Sequence, residues 1–135
     1  MNKYQNVRVL DCALGDFDGE TGFNPGPTTL MGHVAADGLL RVCCSTADTL
    51  AAGGEVEAPD VIKIDVEGAE AHVLRGARRA MQRHPAIFLA THGEGVHRRC
   101  LDLLTACGYE VRAMDGGPPE GTNEVLAVAA GKVGA

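Results

Sequence analysis

The apolar positions between residues 61 and 107 follow two alternating rhythms. Val61, Ile62 and Ile64 make a compact apolar run that the polar Asp65, Glu67 and Gly68 interrupt. Val66, Ala69, Val73, Leu74, Ala77, Ala80 and Met81 then recur at helical spacing. This pattern predicts a strand, a turn and a helix. Arg75, Arg78, Arg79 and Arg83 fall on the other faces of that helix, where they suit its carboxy-terminal dipole, and Pro85 stops it. Residues 86–90 (AIFLA) repeat the fully apolar strand pattern. After THGEG, a second amphipathic helix carries Val96, Cys100, Leu103, Leu104 and Cys107 on one stripe, with Gly108 at its end. Residues 109–114 and 124–129 read as two more strands. The polar DGGPPEGTN between them is short enough for an antiparallel hairpin at a sheet edge.

The first sixty residues are less regular. Residues 7–10 read as a short strand leading into GDFDGETGFNPGP, a turn-rich stretch expected to be loop. Its glycines do not match GxGxxG and no helical pattern follows them, so turn geometry accounts for them better than phosphate binding. Residues 39–45 (LLRVCCS) form another predicted strand. Residues 46–52 form a short helix capped by Ser45 or Thr46 and ended by Gly53 and Gly54. Continuous apolar strands alternating with amphipathic helices imply an α/β domain, with a mostly parallel sheet covered by helices on both faces. At 135 residues and 14.1 kDa the chain suits one domain spanning 1–135, without repeats or linkers and with GKVGA as a frayed end.

Composition narrows the partners. A formal charge of -6 and a pI near 5.2 offer little attraction to nucleic acid or anionic lipid. No apolar stretch approaches a signal peptide or the ~20 residues of a membrane span, so the cytoplasm is the expected location. Cys12, Cys43, Cys44, Cys100 and Cys107 are odd in number and lack a CxxC pair. They read as reduced thiols, neither a disulfide framework nor a zinc site.

Ligands of open α/β sheets bind beyond the carboxyl ends of the strands. Two successive strands here end in polar clusters: Asp65, Glu67 and Glu70 after the first, and Thr91, His92 and Glu94 after the second. Together they could perform general acid/base work or hold one metal ion. Plainer roles compete. Asp65 could cap the helix, Glu67 and Glu70 could complement its dipole, and His92 could be a hydrogen-bonded structural residue. Lys63, inside an apolar strand, needs to snorkel or to pair with Asp65 or Glu67.

The run VIKIDVEGAE, from Val61 to Glu70, followed by Val73, Leu74, Arg75, Gly76 and Ala77, resembles the signature of FkbM-type methyltransferases. The likeness extends back through Ala13, Leu14, Gly15, Asp16 and Gly19, and through Thr46 to Leu50, which is similar to the family's Thr-Leu-Asp element; it covers about residues 6–114. Ala47 replaces the usual leucine, and Ala90 and Thr91 stand where many members carry a glutamate. The resemblance implies a truncated class I, Rossmann-like methyltransferase domain without the glycine-rich loop of its first strand or the ribose-binding acid of its second. It implies S-adenosylmethionine as cofactor, bordered by Cys12, Ala13, Leu14, Asp65 and Glu67. Asp65 and His92 become the catalytic candidates, transferring a methyl group to a hydroxyl of a glycan or secondary metabolite, with no metal required. A catalytically incomplete binding or assembly module is the alternative. A metal-dependent hydrolase built on Asp65, Glu67, His92 and Glu94 ranks third. Because the neighbours of the first strand are missing, residues 7–10 should pair in a new place, join another chain or lack regular order, and a homodimer or partner subunit is expected.

Overall fold

The computed structural model describes residues 4–28 and 31–131, so most of the GKVGA end lies outside the described residues. Among the described residues, eight strands form two four-stranded sheets, ordered β1-β4-β2-β3 and β5-β6-β8-β7. The first contains β1 (Ala13–Leu14), β2 (Gly19–Asn24), β3 (His33–Val34) and β4 (Leu40–Ser45). The second contains β5 (Val61–Ile64), β6 (Ala86–Ala90), β7 (Tyr109–Ala113) and β8 (Glu124–Ala129). Four helices, α1 (Ala47–Ala52), α2 (Glu70–Arg75), α3 (Arg78–Met81) and α4 (Glu94–Ala106), complete the fold.

The α/β class holds, but the expected mostly parallel sheet does not. Only β1 with β4 and β5 with β6 run parallel; β2 with β3, β2 with β4, β6 with β8 and β7 with β8 are antiparallel. One cause is the stretch read as loop. Residues 19–24 are a strand, in register with β4 from Gly19 opposite Cys44 to Phe23 opposite Leu40. Gly22 serves close packing, since a Cβ there would collide with the Ala35 carbonyl and the Gly38 amide. Conversely, residues 7–10 form no strand. Val7 and Val9 are exposed there, and the Arg8 side chain reaches the Glu55 carboxylate and carbonyl.

The second sheet is covered fully on one face only, which corrects the expectation of helices on both. Along β6, Ile87 and Leu89 are buried while Ala86, Phe88 and Ala90 remain half-buried. β8 repeats this alternation with Val125 and Ala127 inward and Leu126 and Val128 outward. An unbroken apolar run suggests burial on both faces; here it coexists with one-sided cover. On the covered face, Ile64, Ile87, Leu89, Val125 and Ala127 pack with Val73 and Leu74 of α2 and Cys100 and Leu104 of α4. Burial pushes the Cys100 thiol up to about 12, so it behaves as a core residue. The predicted carboxy-terminal hairpin is present, with β8 between β6 and β7.

The single helix expected after β5 is two. α2 ends at Gly76, whose backbone lies so close to the Gly15 carbonyl that a Cβ would overlap it. α3 restarts two residues later because Asp48 accepts hydrogen bonds from the Arg79 and Ala80 amides at 2.8 and 3.0 Å. Thr46 caps α1, accepting from the Thr49 amide at 2.9 Å. The threonine and aspartate of this Thr-Ala-Asp element therefore each cap a helix.

Candidate active site

β5 and β6 run parallel, with Ile64 opposite Leu89, so their carboxyl ends deliver Asp65 and His92 to one place. After Asp65 the chain turns sharply. Glu67 adopts a left-handed backbone (φ 53) and Gly68 follows at φ 103, a combination that postpones α2 to Glu70. Asp65 is thus not a helix cap. Gly93, at φ 107, makes the matching turn into α4.

These turns gather three carboxylates around one imidazole. His92 Nδ1 lies 2.7 Å from Glu70 Oε1, while Nε2 lies 3.5 Å from Glu67 Oε1 and 3.8 Å from Asp65 Oδ1. Glu70 is fully buried (0% exposed), accepts the Gly68 amide at 3.0 Å through Oε1, and leaves Oε2 without a hydrogen-bond partner among the described residues. A carboxylate accepts the Nδ1 proton, so the neutral imidazole carries its lone pair on Nε2, facing Asp65 and Glu67. The hydrogen bond to Glu70 is the main cause that raises the His92 pKa above its ordinary value, with Glu67, Glu70 and Asp65 charges adding to it against burial. Lys63 extends to solvent and holds Asp65 Oδ2 at 3.1 Å, the pairing expected of a lysine in this strand. Asp65, Glu67 and His92 also offer three ligand atoms within 4.8 Å of one another.

The other polar residues of the second cluster take separate roles. Thr91 is buried and its hydroxyl lies 2.8 Å from His97 Nδ1, while His97 Nε2 donates to the Pro119 carbonyl at 2.9 Å. These two tie β6 to the loop before β8. Glu94 is exposed and faces Arg98 at 3.7 Å on the rim of a cleft that His92 also lines. This cleft, of about 730 Å³, is lined by His92 with Thr91, Gly93, Glu94, His97 and residues 120–123. The polar loop before β8 was read only as a hairpin connection; its wall in this cleft arises from the crossing of β8 beside β6. Glu70 was legible as a polar residue near the site, but its burial depends on α2 packing on α4.

The five residues expected around the cofactor divide. Leu14 and Glu67 line one pocket of about 350 Å³ together with Gly15, Cys44, Gly68 and Ala69; Cys12, Ala13 and Asp65 do not line it. Leu14 and Cys44 offer it an apolar wall, and Glu67 and Asp16 a polar edge.

The model of the methyltransferase FkbM domain matches residues 3–111. A hexuronic acid methyltransferase, AglP of Haloferax volcanii, is 33% identical over 88 residues; the match covers 64% of this chain and 37% of that protein. The crystal structure of methyltransferase FkbM from Methylobacillus flagellatus KT superposes with a TM-score of 0.53 at 23% identity. That superposition covers 90% of this chain and 28% of the other, and supports the fold. The chain therefore spans well under half the length of either relative. Among the described residues no helix is long and apolar enough to cross a membrane. With the family model covering most of its length, the chain belongs to the FkbM methyltransferase family.

Proposed function

We propose that this chain carries the acceptor side of an S-adenosylmethionine-dependent O-methyltransferase acting on a glycan hydroxyl. The observation that carries the reading is the Glu70–His92 pair. A buried carboxylate holds Nδ1 and turns Nε2 toward Asp65 and Glu67, at the carboxyl edge of the sheet, with His92 lining an open cleft. Bound S-adenosylmethionine would supply a methyl group on a positively charged sulfur, with Leu14 and Glu67 bordering its adenine end. The chain's own residues then perform two tasks. The cleft walls orient a polyol so that one hydroxyl approaches Nε2, and His92 accepts that hydroxyl's proton as the oxygen becomes the nucleophile. Glu70 stabilises the imidazolium that results. The naming of the Haloferax relative for a hexuronic acid favours a sugar over an aromatic acceptor.

Incubation of the chain with methyl-labelled cofactor and a panel of neutral and uronic-acid glycosides tests this. The expected product is an alkali-stable methyl ether, and His92→Asn should slow its formation by about 10²- to 10⁴-fold. An alkali-labile methyl ester would overturn hydroxyl transfer, and an unchanged rate in His92→Asn would remove the base. A second reading, that of a module active only when joined to further polypeptide, is supported by the 37% and 28% coverage of the two relatives. A folded chain that fails to bind the cofactor at millimolar concentration in calorimetry would favour that reading.

A further inference from the structure

We propose that Asp65, Glu67 and His92 form a binding site for a divalent transition ion of the zinc class, with Nε2 and one oxygen from each carboxylate as ligands. The spacing suits such an ion. A zinc ion about 2.1 Å from each ligand in tetrahedral array sets its ligand atoms about 3.4 Å apart. Nε2 stands 3.5 Å from Glu67 Oε1 and 3.8 Å from Asp65 Oδ1. Lys63 occupies only Oδ2 of Asp65, which leaves Oδ1 to the ion. An imidazole among the ligands selects a transition ion over magnesium, which prefers oxygen donors and keeps its water.

The second observation lies outside the three ligands, in the buried Glu70 behind the imidazole. Metal-bound histidines usually donate their other ring N–H to a carboxylate, which fixes the tautomer and ring orientation. Glu70 supplies that contact at 2.7 Å from within the core, fully buried and with Oε2 lacking a partner among the described residues. A charge so placed, beside two further carboxylates, is stabilised by a dication at Nε2. All three ligand side chains are part exposed, so water or an acceptor oxygen can complete the coordination. The site goes beyond methyl transfer. The ion and the acceptor's proton use the same Nε2 lone pair, so an occupied site withholds His92 as a base.

Cobalt(II) and zinc titrations of the whole chain, without cofactor or acceptor, test the proposal. Expected are one ion per chain and cobalt absorption bands of nitrogen and oxygen ligation, without the intense near-ultraviolet thiolate band. Glu67→Gln and His92→Asn should abolish saturable binding, and Glu70→Gln, which touches no ion, should weaken it by about 10- to 100-fold. Glu67 is part exposed, so its substitution leaves the fold intact and keeps the test decisive. A thiolate band would assign the ion to the cysteines. Retained affinity in Glu67→Gln, or equal loss in the exposed Glu94→Gln, would show diffuse attraction; any of these overturns the site. Because no substrate is present, failure here leaves the methyl-transfer reading standing.

Discussion

Glu70 is a residue whose burial is costly for folding and useful for chemistry. A carboxylate with no exposed surface and one unpartnered oxygen lowers stability, since each buried polar atom without a partner costs about 1–3 kcal/mol. Glu70→Gln should therefore change the urea midpoint little or raise it, while slowing methyl transfer at least tenfold through loss of the imidazolium's partner. A parallel fall in both quantities would mean that Glu70 serves the fold alone. Gly76 makes the opposite case, a residue fixed by packing. Its missing Cβ admits the Gly15 carbonyl, which joins the first sheet to the turn between α2 and α3. Gly76→Ala should cost about 1–3 kcal/mol of unfolding free energy, as overpacking does, and an unchanged denaturation midpoint would contradict the contact.

At the scale of elements, aspartates anchor the first sheet and the helix that follows it. Asp48 caps α3, and Asp48→Ala should cost about 1–2 kcal/mol in chemical denaturation. Asp16 accepts from His72 at 2.8 Å with Arg75 3.8 Å away, and Asp18 accepts from the Ser45 hydroxyl, the Thr46 amide and the Thr49 hydroxyl. The hydrogen bond from His72 is the largest cause lowering the Asp16 pKa, and that from Ser45 the largest for Asp18, each below the usual 3.8. The folded state thus favours both carboxylates. Their stabilisation is fully present above pH 3.8 and is lost as pH falls through the lowered folded values. Amide hydrogen exchange should show β2 and β4 losing protection below about pH 4 before β6 and β8 do, and Asp18→Asn should shift that loss to higher pH. Simultaneous loss in both sheets would refute the separate attachment. These anchors also show where sequence reading stops. β5, β6, α4 and the β7–β8 hairpin were legible because each carries its own apolar period. β2 carries two glycines and no apolar period, and is held as a strand by its neighbours β4 and β3. The broken α2–α3 helix kept its helical rhythm across Gly76, so nothing local marked the interruption.

For the molecule as a whole, the site was more legible than the sheet that presents it. Asp65, Glu67 and His92 meet because two parallel strands end together, and that follows from two apolar runs each closed by a polar cluster. One-sided cover of the second sheet did not follow, since an apolar run records which residues tolerate burial and not which element provides it. The consequence is a surface that includes Val61 at 58% exposure and the half-buried Phe88, Leu126 and Val128. Beside it lies β5, which among the described residues pairs with β6 alone and so presents an open strand edge. An apolar sheet face next to an unpaired edge favours association, because a second chain can satisfy the edge and cover the face in one step. Sedimentation velocity should show concentration-dependent self-association of the purified chain. Val61→Lys, a charge placed on that edge, should shift the distribution toward monomer without altering the far-ultraviolet circular dichroism. A chain that sediments as one monomeric species across the micromolar range would show that this face is tolerated in water, and the expected homodimer would then be withdrawn.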